Sequence, residues 1–387
     1  MKNKIILIVF TMLILSGIET YRELSDIAIV SGISIDLNEK NEFEISAQIL
    51  DSKSASKGSS SSKSDSNSSI LIEYTSVGNT VQQALRKMIY ESPKKLYLGH
   101  LELLVMSEDV VKKGLINSLD FFLRDNNVNK EFNIVISKDV KANKVINSVM
   151  PLESNPIENI IKSIKVSSKF SGKVSEETSG YIVSQLLEEG VEITLPSVSI
   201  EKSKDNNKEK SKVLISNLAY FRNKKFAGYV DTKDCITHNL VNGKVKKTIL
   251  EAKLNNDFFA AELYNLKSSI RPRKISNEYI LDINVTGKAL ITEISQSLDI
   301  TTEKDVFKYK EIIDKQIEEN INVYIDNCKN KYKSDIIGVE AILYKKLHKD
   351  FIKLSGEEKK NIFKKVNTNV NVDIKLNIEG EIINEGK

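Results

Sequence analysis

Three histidines and two cysteines are the residues of this chain best suited to proton transfer, nucleophilic attack or metal binding. His100, His238 and His348 have no suggestive spacing, and no Gly-x-Ser-x-Gly motif accompanies them, so the sequence offers no nucleophile and base of a hydrolase. Cys235 and Cys328 have no CxxC partner and no nearby histidine pair, which argues against zinc. A disulfide between them stays open for an exported protein, although Cys328 falls on an apolar position of a helical pattern, where a buried free thiol is common. We therefore expect no catalytic, cofactor or metal site.

The charged residues are numerous and balanced. The chain has 387 residues, with 57 basic and 53 acidic side chains interspersed along it and a formal net charge of +4. Binding to nucleic acid would favour basic residues concentrated on one face, so we expect a solvated surface and no nucleic-acid partner. The length predicts two or three domains, and a hydrophobic content of 40% is enough for real cores.

Residues 1–18 have the pattern of a secretory signal. Lys2 and Lys4 give a charged start, an apolar run extends from Ile5 to Leu15, and the small residues Ser16-Gly17 follow. This run is shorter than the membrane span of about 20 residues, so we predict export, with a buried first strand as the alternative.

Strands and helices alternate in the first half. The predicted strands cover residues 28–35, 43–49, 70–74, 101–106, 132–136 and 191–200. Two helices are predicted to begin after Thr80 and after Ser107, and three more are predicted at 140–149, 157–166 and 176–188. A Ser, Lys and Gly-rich run from Ser52 to Ser69 is expected to be a flexible loop inside the first domain.

The charged stretch 201–212 is expected to be structureless, as a domain boundary or a hairpin tip adjoining one. Strands are predicted beyond it at 213–221, 226–230, 246–254, 279–290 and 370–378. A helix over 303–332 carries one apolar stripe, which is expected to pack within the chain, with a partner as the alternative. The stripe comprises Ile313, Ile317, Ile321, Tyr324 and Cys328.

These elements predict an α+β fold of about three domains, with mixed or antiparallel sheets packed by helices. The expected division is a signal segment at 1–18, an N-terminal region at 19–200 and a C-terminal domain at 213–387. A further subdivision near residue 150 stays open.

Four short motifs follow one another along the chain: the start of the mature chain, two phrases that flank the strand predicted at 101–106, a Gly-Tyr-Val-Asp phrase, and a phrase near the carboxyl end. Their positions, whose roles are unknown, are Arg22, Glu23, Leu24, Gly99, His100, Phe121, Arg124, Asp125, Gly228, Asp335 and Gly338. In this order the motifs resemble signatures of the Ger(x)C family, the C-type lipoprotein subunits of spore germinant receptors. The second resembles the family's "GH…SEE…LDFFLRD" pattern and the fourth resembles "KxDIFGFG".

The local sequence at two of these positions favours structure over chemistry. His100 stands at a loop-to-strand junction without a nucleophile nearby in sequence, so a structural role is preferred to that of a catalytic base. Arg124-Asp125 just past a helix is interpreted as a salt-bridged helix end, with a ligand site as the alternative.

The resemblance implies a non-enzymatic subunit of a membrane-associated nutrient germinant receptor that acts in spore germination, without a cofactor. Its implied partners are the integral-membrane A-type and B-type subunits and the membrane surface, and its implied place is the outer face of the spore inner membrane. The alternative is an exported solute-binding lipoprotein that delivers a ligand to a membrane transporter. That alternative would require two similar lobes, and the sequence has no internal repeat.

Ile18 departs from the family pattern. The residues Leu15, Ser16 and Gly17 precede it as they precede the modified cysteine of a lipoprotein, but isoleucine has no thiol to carry the diacylglyceryl thioether. Three explanations for Ile18 stay open: the chain is a divergent family member, it is a sequence variant, or it is tethered by an uncleaved segment.

Lipid labelling tests the position of this motif. The native chain should incorporate no labelled palmitate, whereas Ile18→Cys should restore labelling because it supplies the missing thiol. The measurement is autoradiography of the immunoprecipitated protein from cells fed labelled palmitate. Efficient labelling of the native chain would show that the signal has been misplaced.

Overall fold

The computed structural model describes residues 27–50, 71–148, 155–205, 208–254, 257–295 and 302–377, with the side chains of 71 and 202–211 excepted. The predicted signal, the Arg22-Glu23-Leu24 motif and the Ser52 to Ser69 run lie outside these residues. Within them the chain forms two mixed sheets packed by helices, which confirms the predicted α+β class.

The first sheet has nine strands. They are β1 (Ile27–Leu37), β2 (Phe43–Leu50), β3 (Leu71–Gly78), β4 (Lys95–Tyr97), β5 (Leu103–Ser107), β6 (Asn133–Ser137), β7 (Thr194–Asp205), β8 (Lys208–Arg222) and β9 (Lys225–Tyr229). The order is β3-β2-β1-β5-β6-β7-β8-β9, and β4 pairs parallel with the first three residues of β1, off this path. β1, β5, β6 and β7 are parallel neighbours, whereas the pairs at both edges are antiparallel.

Helices cover both faces of this sheet. They are α1 (Val81–Lys87, followed by a 3₁₀ turn at Met88–Tyr90), α2 (Glu108–Arg124), α3 (Ala142–Ile146), α4 (Pro156–Phe170) and α5 (Ser179–Leu187). Every residue of β5 and β6 is buried, as expected for parallel strands covered on both faces. Leu104 and Met106 pack with α1, α2 and α5, whereas Leu103 and Val105 face α3 and α4.

The second half adds α6 (Thr232–Val241) and a four-stranded sheet of order β10-β11-β12-β13. Its strands are β10 (Lys247–Leu254), β11 (Asp257–Ile275), β12 (Glu278–Ile294) and β13 (Asn367–Asn377). β12 and β13 are parallel. The crossover between them holds α7 (Glu303–Asn327), a π turn at Cys328–Tyr332, α8 (Val339–Lys346), α9 (His348–Phe351) and α10 (Gly356–Lys365).

Helix α7 packs within the chain, as its apolar stripe predicted. Thr302 and Asp305 form a capping box at its start, and the five stripe residues are all buried. The predicted alternation of β13 is also observed, since Val370 and Ile374 are buried while Asn369 and Asn371 are exposed or half-exposed.

Two expectations need correction. Residues 201–212 were expected to be structureless, as a domain boundary or a hairpin tip adjoining one. The structureless reading is wrong and the hairpin alternative is observed, because main-chain hydrogen bonds pair β7 and β8 antiparallel through this stretch as far as Asp205 and Lys208. β8 and β9 extend the first sheet. β11 was missed because Pro272 interrupts its pattern. Beyond Tyr264 the strand has no β10 partner, so Pro272 lies at a free edge, where its missing N–H is tolerated.

The two halves share one hydrophobic core. Val198 and Leu218 of the first sheet belong to the same buried cluster as Leu240 of α6 and Ile313 of α7. None of the described helices is both long enough and apolar enough to cross a membrane.

Replacing one buried residue of α7 tests this packing. Ile321 is fully buried, so Ile321→Ala should lower the free energy of unfolding by about 2–5 kcal/mol. Val323 is exposed on the same helix, and Val323→Ala should change it by less than about 0.5 kcal/mol. Urea denaturation of both variants measures the difference. An equal loss in the two variants would contradict the assigned face.

Candidate functional site

The motif positions within the described residues form two separate groups. Gly99, His100, Phe121, Arg124 and Asp125 lie near the amino ends of β5 and β6, in the connections that lead into those strands. The second group comprises Gly228, Asp335 and Gly338, and it lies where the first sheet meets the segment between α7 and α8.

The Gly99-His100 turn is held by the loop that follows α2. The Asn129 side-chain amide donates to the Leu101 carbonyl oxygen at 3.1 Å, and its backbone N–H donates to the Leu98 carbonyl oxygen at 3.2 Å. His100 is exposed, and its Nε2 lies 3.1 Å from Glu102 Oε1. These contacts give the turn a structural role and leave His100 facing solvent.

The Phe121 to Asp125 phrase closes helix α2. Arg124 pairs with Asp120 one turn earlier at 2.8 Å, on the surface. The Asp125 carboxylate accepts the Asn127 N–H at 2.8 Å, a bond that lowers the pKa of Asp125. The Phe121 ring lies edge-on to the Phe122 ring, with centroids 5.4 Å apart.

The Lys130 ammonium binds the carbonyl oxygens at the end of α2. Lys130 Nζ donates to the carbonyl oxygens of Phe122 and Asp125, each at 2.6 Å. A positive charge there complements the partial negative charge of a helix end. Together with the Arg124 pair, this is the helix-end arrangement that the sequence favoured over a ligand site.

Asp335 and Gly338 begin helix α8. The half-buried Asp335 carboxylate accepts the N–H groups of Gly338, Val339 and Glu340 at 3.1, 2.9 and 2.8 Å. Burial raises the pKa of Asp335 to about 7, although the three N–H donors act in the opposite direction. Gly338 has φ of +81°, which favours glycine. Gly228 likewise has φ of +145°, in β9 opposite the Tyr220 ring.

A polar cluster joins the third and fourth motifs. We call Asp231, Asp234, Asn327, Lys331 and Tyr332 the Tyr332 cluster. The Tyr332 hydroxyl donates to Asp234 Oδ2 at 2.6 Å and accepts the Asp231 N–H at 3.0 Å. Asn327 Nδ2 also donates to Asp234 Oδ2, at 2.8 Å, and Lys331 pairs with the Asp231 carboxylate.

His238 links three elements from within the core. Its Nδ1 lies 2.7 Å from the Tyr324 hydroxyl of α7, and its Nε2 lies 3.2 Å from Thr194 Oγ1 of β7. Burial lowers the pKa of His238 to about 3, so the imidazole is neutral at physiological pH. A histidine that does not titrate near neutrality and has both nitrogens engaged is poorly suited to act as a general base.

A partly buried ion pair also crosses between the halves. Glu177 is 2% exposed, and its Oε1 lies 2.5 Å from Lys244 Nζ. The Ser175 hydroxyl donates to the same carboxylate, and the Lys244 ammonium lies 5.0 Å from the Tyr181 ring centroid. Removal of either charged partner would leave the other with an uncompensated charge.

A cavity of about 220 Å³ lies beside these contacts, lined by Ile182, Gln185, Thr194, His238, Ile337 and Ala341 among others. It is smaller than the 300–1,000 Å³ typical of ligand pockets. An adjoining open groove of about 500 Å³ is lined by Lys329, Lys333 and Lys360 but also by Glu189, Glu192 and Glu340. Because the lining carries both positive and negative side chains, the groove does not favour a ligand of either charge.

The two cysteines and His348 are the remaining side chains suited to chemistry. Cys235 and Cys328 are free, buried thiols. Burial raises the pKa of Cys235 to about 11, far from that of a reactive thiolate. The His348 ring packs edge-on against Tyr344, with centroids 4.8 Å apart. In the described part of the chain, His, Cys, Asp and Glu side chains form no group of three able to hold a metal ion.

Sequence reasoning missed the Tyr332 cluster and the partners of His238 because it missed helix α6. A signal for that helix was present, since Asp231 before a helical stretch with Asp234 three residues later is typical of a helix start. Contacts between residues about 100 positions apart, such as Tyr332 with Asp234, have no sequence signature of their own.

Two family models match this chain in order. The model for the spore germination protein N-terminal domain matches residues 20–200, and the model described as spore germination B3/GerAC like, C-terminal, matches residues 216–380.

Individual relatives are distant but span most of the chain. Spore germination protein KC of Bacillus subtilis (strain 168) is 20% identical, over 90% of this chain and 88% of its own length. Spore germination protein GerQC of Bacillus cereus is 22% identical, over 79% and 82%. The crystal structure of the GerBC protein superimposes with a TM-score of 0.56 at 16% identity, over 89% of this chain and 96% of that one, which shows the shared fold.

The burial of His238 predicts a pH effect. Its pKa falls from 6.5, the value for an unperturbed side chain, to about 3 in the folded protein. Between these values the unfolded chain binds a proton that the folded protein does not, so this contribution to stability is lost as the pH falls, by about 1.4 kcal/mol per unit.

His238→Gln removes this contribution. The difference in unfolding free energy between native protein and variant should shrink by about 2 kcal/mol between pH 7 and pH 5. Urea denaturation at the two pH values measures it, and His100→Gln is the exposed control. A difference that is the same at both pH values would show that His238 is not held neutral.

Proposed function

Because the chain belongs to the Ger(x)C family of spore germination proteins, we propose that it is a non-catalytic subunit of a membrane-associated nutrient germinant receptor. The observation that carries the proposal is the match of both family models, in order, to residues 20–200 and 216–380. Its proposed partners are integral-membrane A-type and B-type subunits, and its proposed place is the outer face of the spore inner membrane.

The contacts of the motif residues support a non-catalytic role. Asp125 and Asp335 complete helix ends, and Gly338 supplies a backbone conformation that favours glycine. His100 is exposed and pairs with Glu102, and His238 is buried between the hydroxyls of Thr194 and Tyr324 with a pKa of about 3, too low for a general base at neutral pH. In the described residues these side chains maintain the fold rather than surround a reacting group.

The architecture does not favour a solute-binding protein. That class would need two similar lobes around a cleft. The two sheets differ in strand number and order, with nine strands in one and four in the other. The cavity between the halves is also small.

Attachment to the membrane is proposed to depend on the first residues. The apolar run Ile5 to Leu15 precedes β1 in the sequence, and Ile18 provides no thiol for lipid attachment. One short apolar segment binds a membrane weakly, so stable association would require a second attachment, as it does for singly acylated proteins.

A germination assay on spores tests the role. Deletion of the gene should abolish the response to the nutrients served by this receptor. His100→Ala and His348→Ala should leave that response intact, because no proton transfer depends on these exposed side chains. Ile321→Asp should remove both the protein and the response, because it places a charge in the core.

Immunoblotting of the same spores provides the control for abundance. A histidine variant that is present at the normal level but fails to germinate would argue for a catalytic or ligand-binding role. Copurification of the native chain with two multi-pass membrane proteins, lost in the deletion strain, would identify the proposed partners.

A further inference from the structure

Three large side chains protrude into solvent in and just before β4, the strand that pairs with the start of β1. Ile89, Tyr90 and Tyr97 are all exposed, and Tyr90 is 89% exposed. Met88 and Leu98 next to them are buried in the core of the first sheet. The segment is therefore anchored from both sides, and burial of Met88 leaves Ile89 and Tyr90 facing outward.

The same segment is basic. Residues 86–97 read RKMIYESPKKLY and contain four basic side chains against one acid, Glu91. Lys87 donates to the Val77 carbonyl oxygen, whereas Arg86 and Lys95 are exposed. Tyrosine combines an apolar ring with a polar tip, and lysine or arginine beside such rings is typical of surfaces that contact anionic membranes.

The position of the segment fits a membrane contact. β4 pairs with the first three residues of β1, Ile27 with Lys95 and Ile29 with Tyr97. The apolar run that ends at Leu15 is twelve residues before Ile27. An extended chain of that length spans at most about 40 Å, so a membrane that holds the run would lie within about 40 Å of the start of β1.

Another exposed apolar region has no excess of basic side chains. Ile249 and Phe258 on the second sheet are both more than half exposed. Residues 246–262 contain three acids and three lysines, and Glu262 pairs with Lys247. An anionic surface would not attract this charge-balanced region, so charge distinguishes it from the segment beside β4.

We propose that Ile89, Tyr90, Lys94, Lys95 and Tyr97, which we call the Tyr90 surface, rest on an anionic phospholipid bilayer. The proposal builds on the proposed function, because a receptor subunit at the membrane needs a fixed orientation. The Tyr90 surface would provide the second attachment that a chain with Ile18 requires, and it would orient the first sheet with its β1–β4 corner toward the lipid.

Tryptophan fluorescence tests the proposal, because the chain contains no tryptophan. Tyr90→Trp in the full chain should show emission shifted to shorter wavelength when phosphatidylglycerol vesicles are added, and a much smaller shift with phosphatidylcholine vesicles. Phe258→Trp, also exposed and also near a lysine, is the matched control and should not shift. Both variants keep the first 26 residues, so attachment through that segment is the same.

Charge reversal provides the second arm. Lys94→Glu with Lys95→Glu in the Tyr90→Trp protein should weaken vesicle binding by at least about 25-fold, since each lysine near an anionic surface contributes about fivefold. Lys349→Glu with Lys353→Glu, at exposed positions near α9, should leave binding unchanged.

Each result decides the proposal. No shift in the Tyr90→Trp protein, equal shifts in the Tyr90→Trp and Phe258→Trp proteins, or equal shifts with both lipids would overturn it. Loss of vesicle binding by the Lys94 and Lys95 variant but not by the Lys349 and Lys353 control would support the Tyr90 surface.

Spores that carry both Lys94→Glu and Lys95→Glu distinguish a failure of the proposed membrane contact from a failure of the proposed receptor function. A normal nutrient response in these spores, together with no shift in the Tyr90→Trp protein, would leave the receptor role standing and remove only the membrane contact.

Discussion

The structure depends on the burial of one face of the first sheet by the second half of the chain. α3 and α4 cover part of that face, and α6 and the second sheet complete the cover. Val198, Leu218 and Tyr220 are buried there. Exposing large apolar side chains of this kind costs about 1.5–3 kcal/mol each, so separation of the halves would remove much of the stability of a typical domain. The stability of each half is therefore tied to the other, although two family models divide the chain.

Hydrophobic burial holds the halves together but does not define their orientation, because it has no directional preference. Directional contacts do so. His238 ties α6 to β7, and the Glu177–Lys244 pair ties the chain before α5 to the loop after α6. Within the second half, the Tyr332 cluster ties the end of α7 to the start of α6, directly after β9 of the first sheet. Each contact joins residues far apart in sequence, so a slip of one element would leave several buried polar groups without partners.

The sequence predicted the elements whose signals are local. The strands around β5 and β6, the stripe of α7 and the alternation of β13 follow from apolar periodicity over a few residues. β11 was missed because Pro272 breaks its strand pattern. α6 was missed because it is buried on most sides, which removes the amphipathic period. The family motifs located Asp335 and Gly338, but only the structure relates them to the start of α8. The contacts that join the halves could not be predicted, since they depend on tertiary packing.

His238 and Asp335, whose pKa values are shifted by desolvation, have opposite effects on stability. His238, with a pKa lowered to about 3, weakens the folded state as the pH falls below 6.5. Asp335, with a pKa raised from 3.8 to about 7, does the reverse, because the folded protein holds a proton that the unfolded chain releases as the pH rises through this range. Between about pH 4 and 6.5 the two contributions oppose each other. Shifts of this kind are frequent at catalytic sites. Here both Asp335 oxygens accept backbone N–H groups and both His238 nitrogens face side-chain hydroxyls, so the shifts follow from burial within the fold and leave neither group free to react.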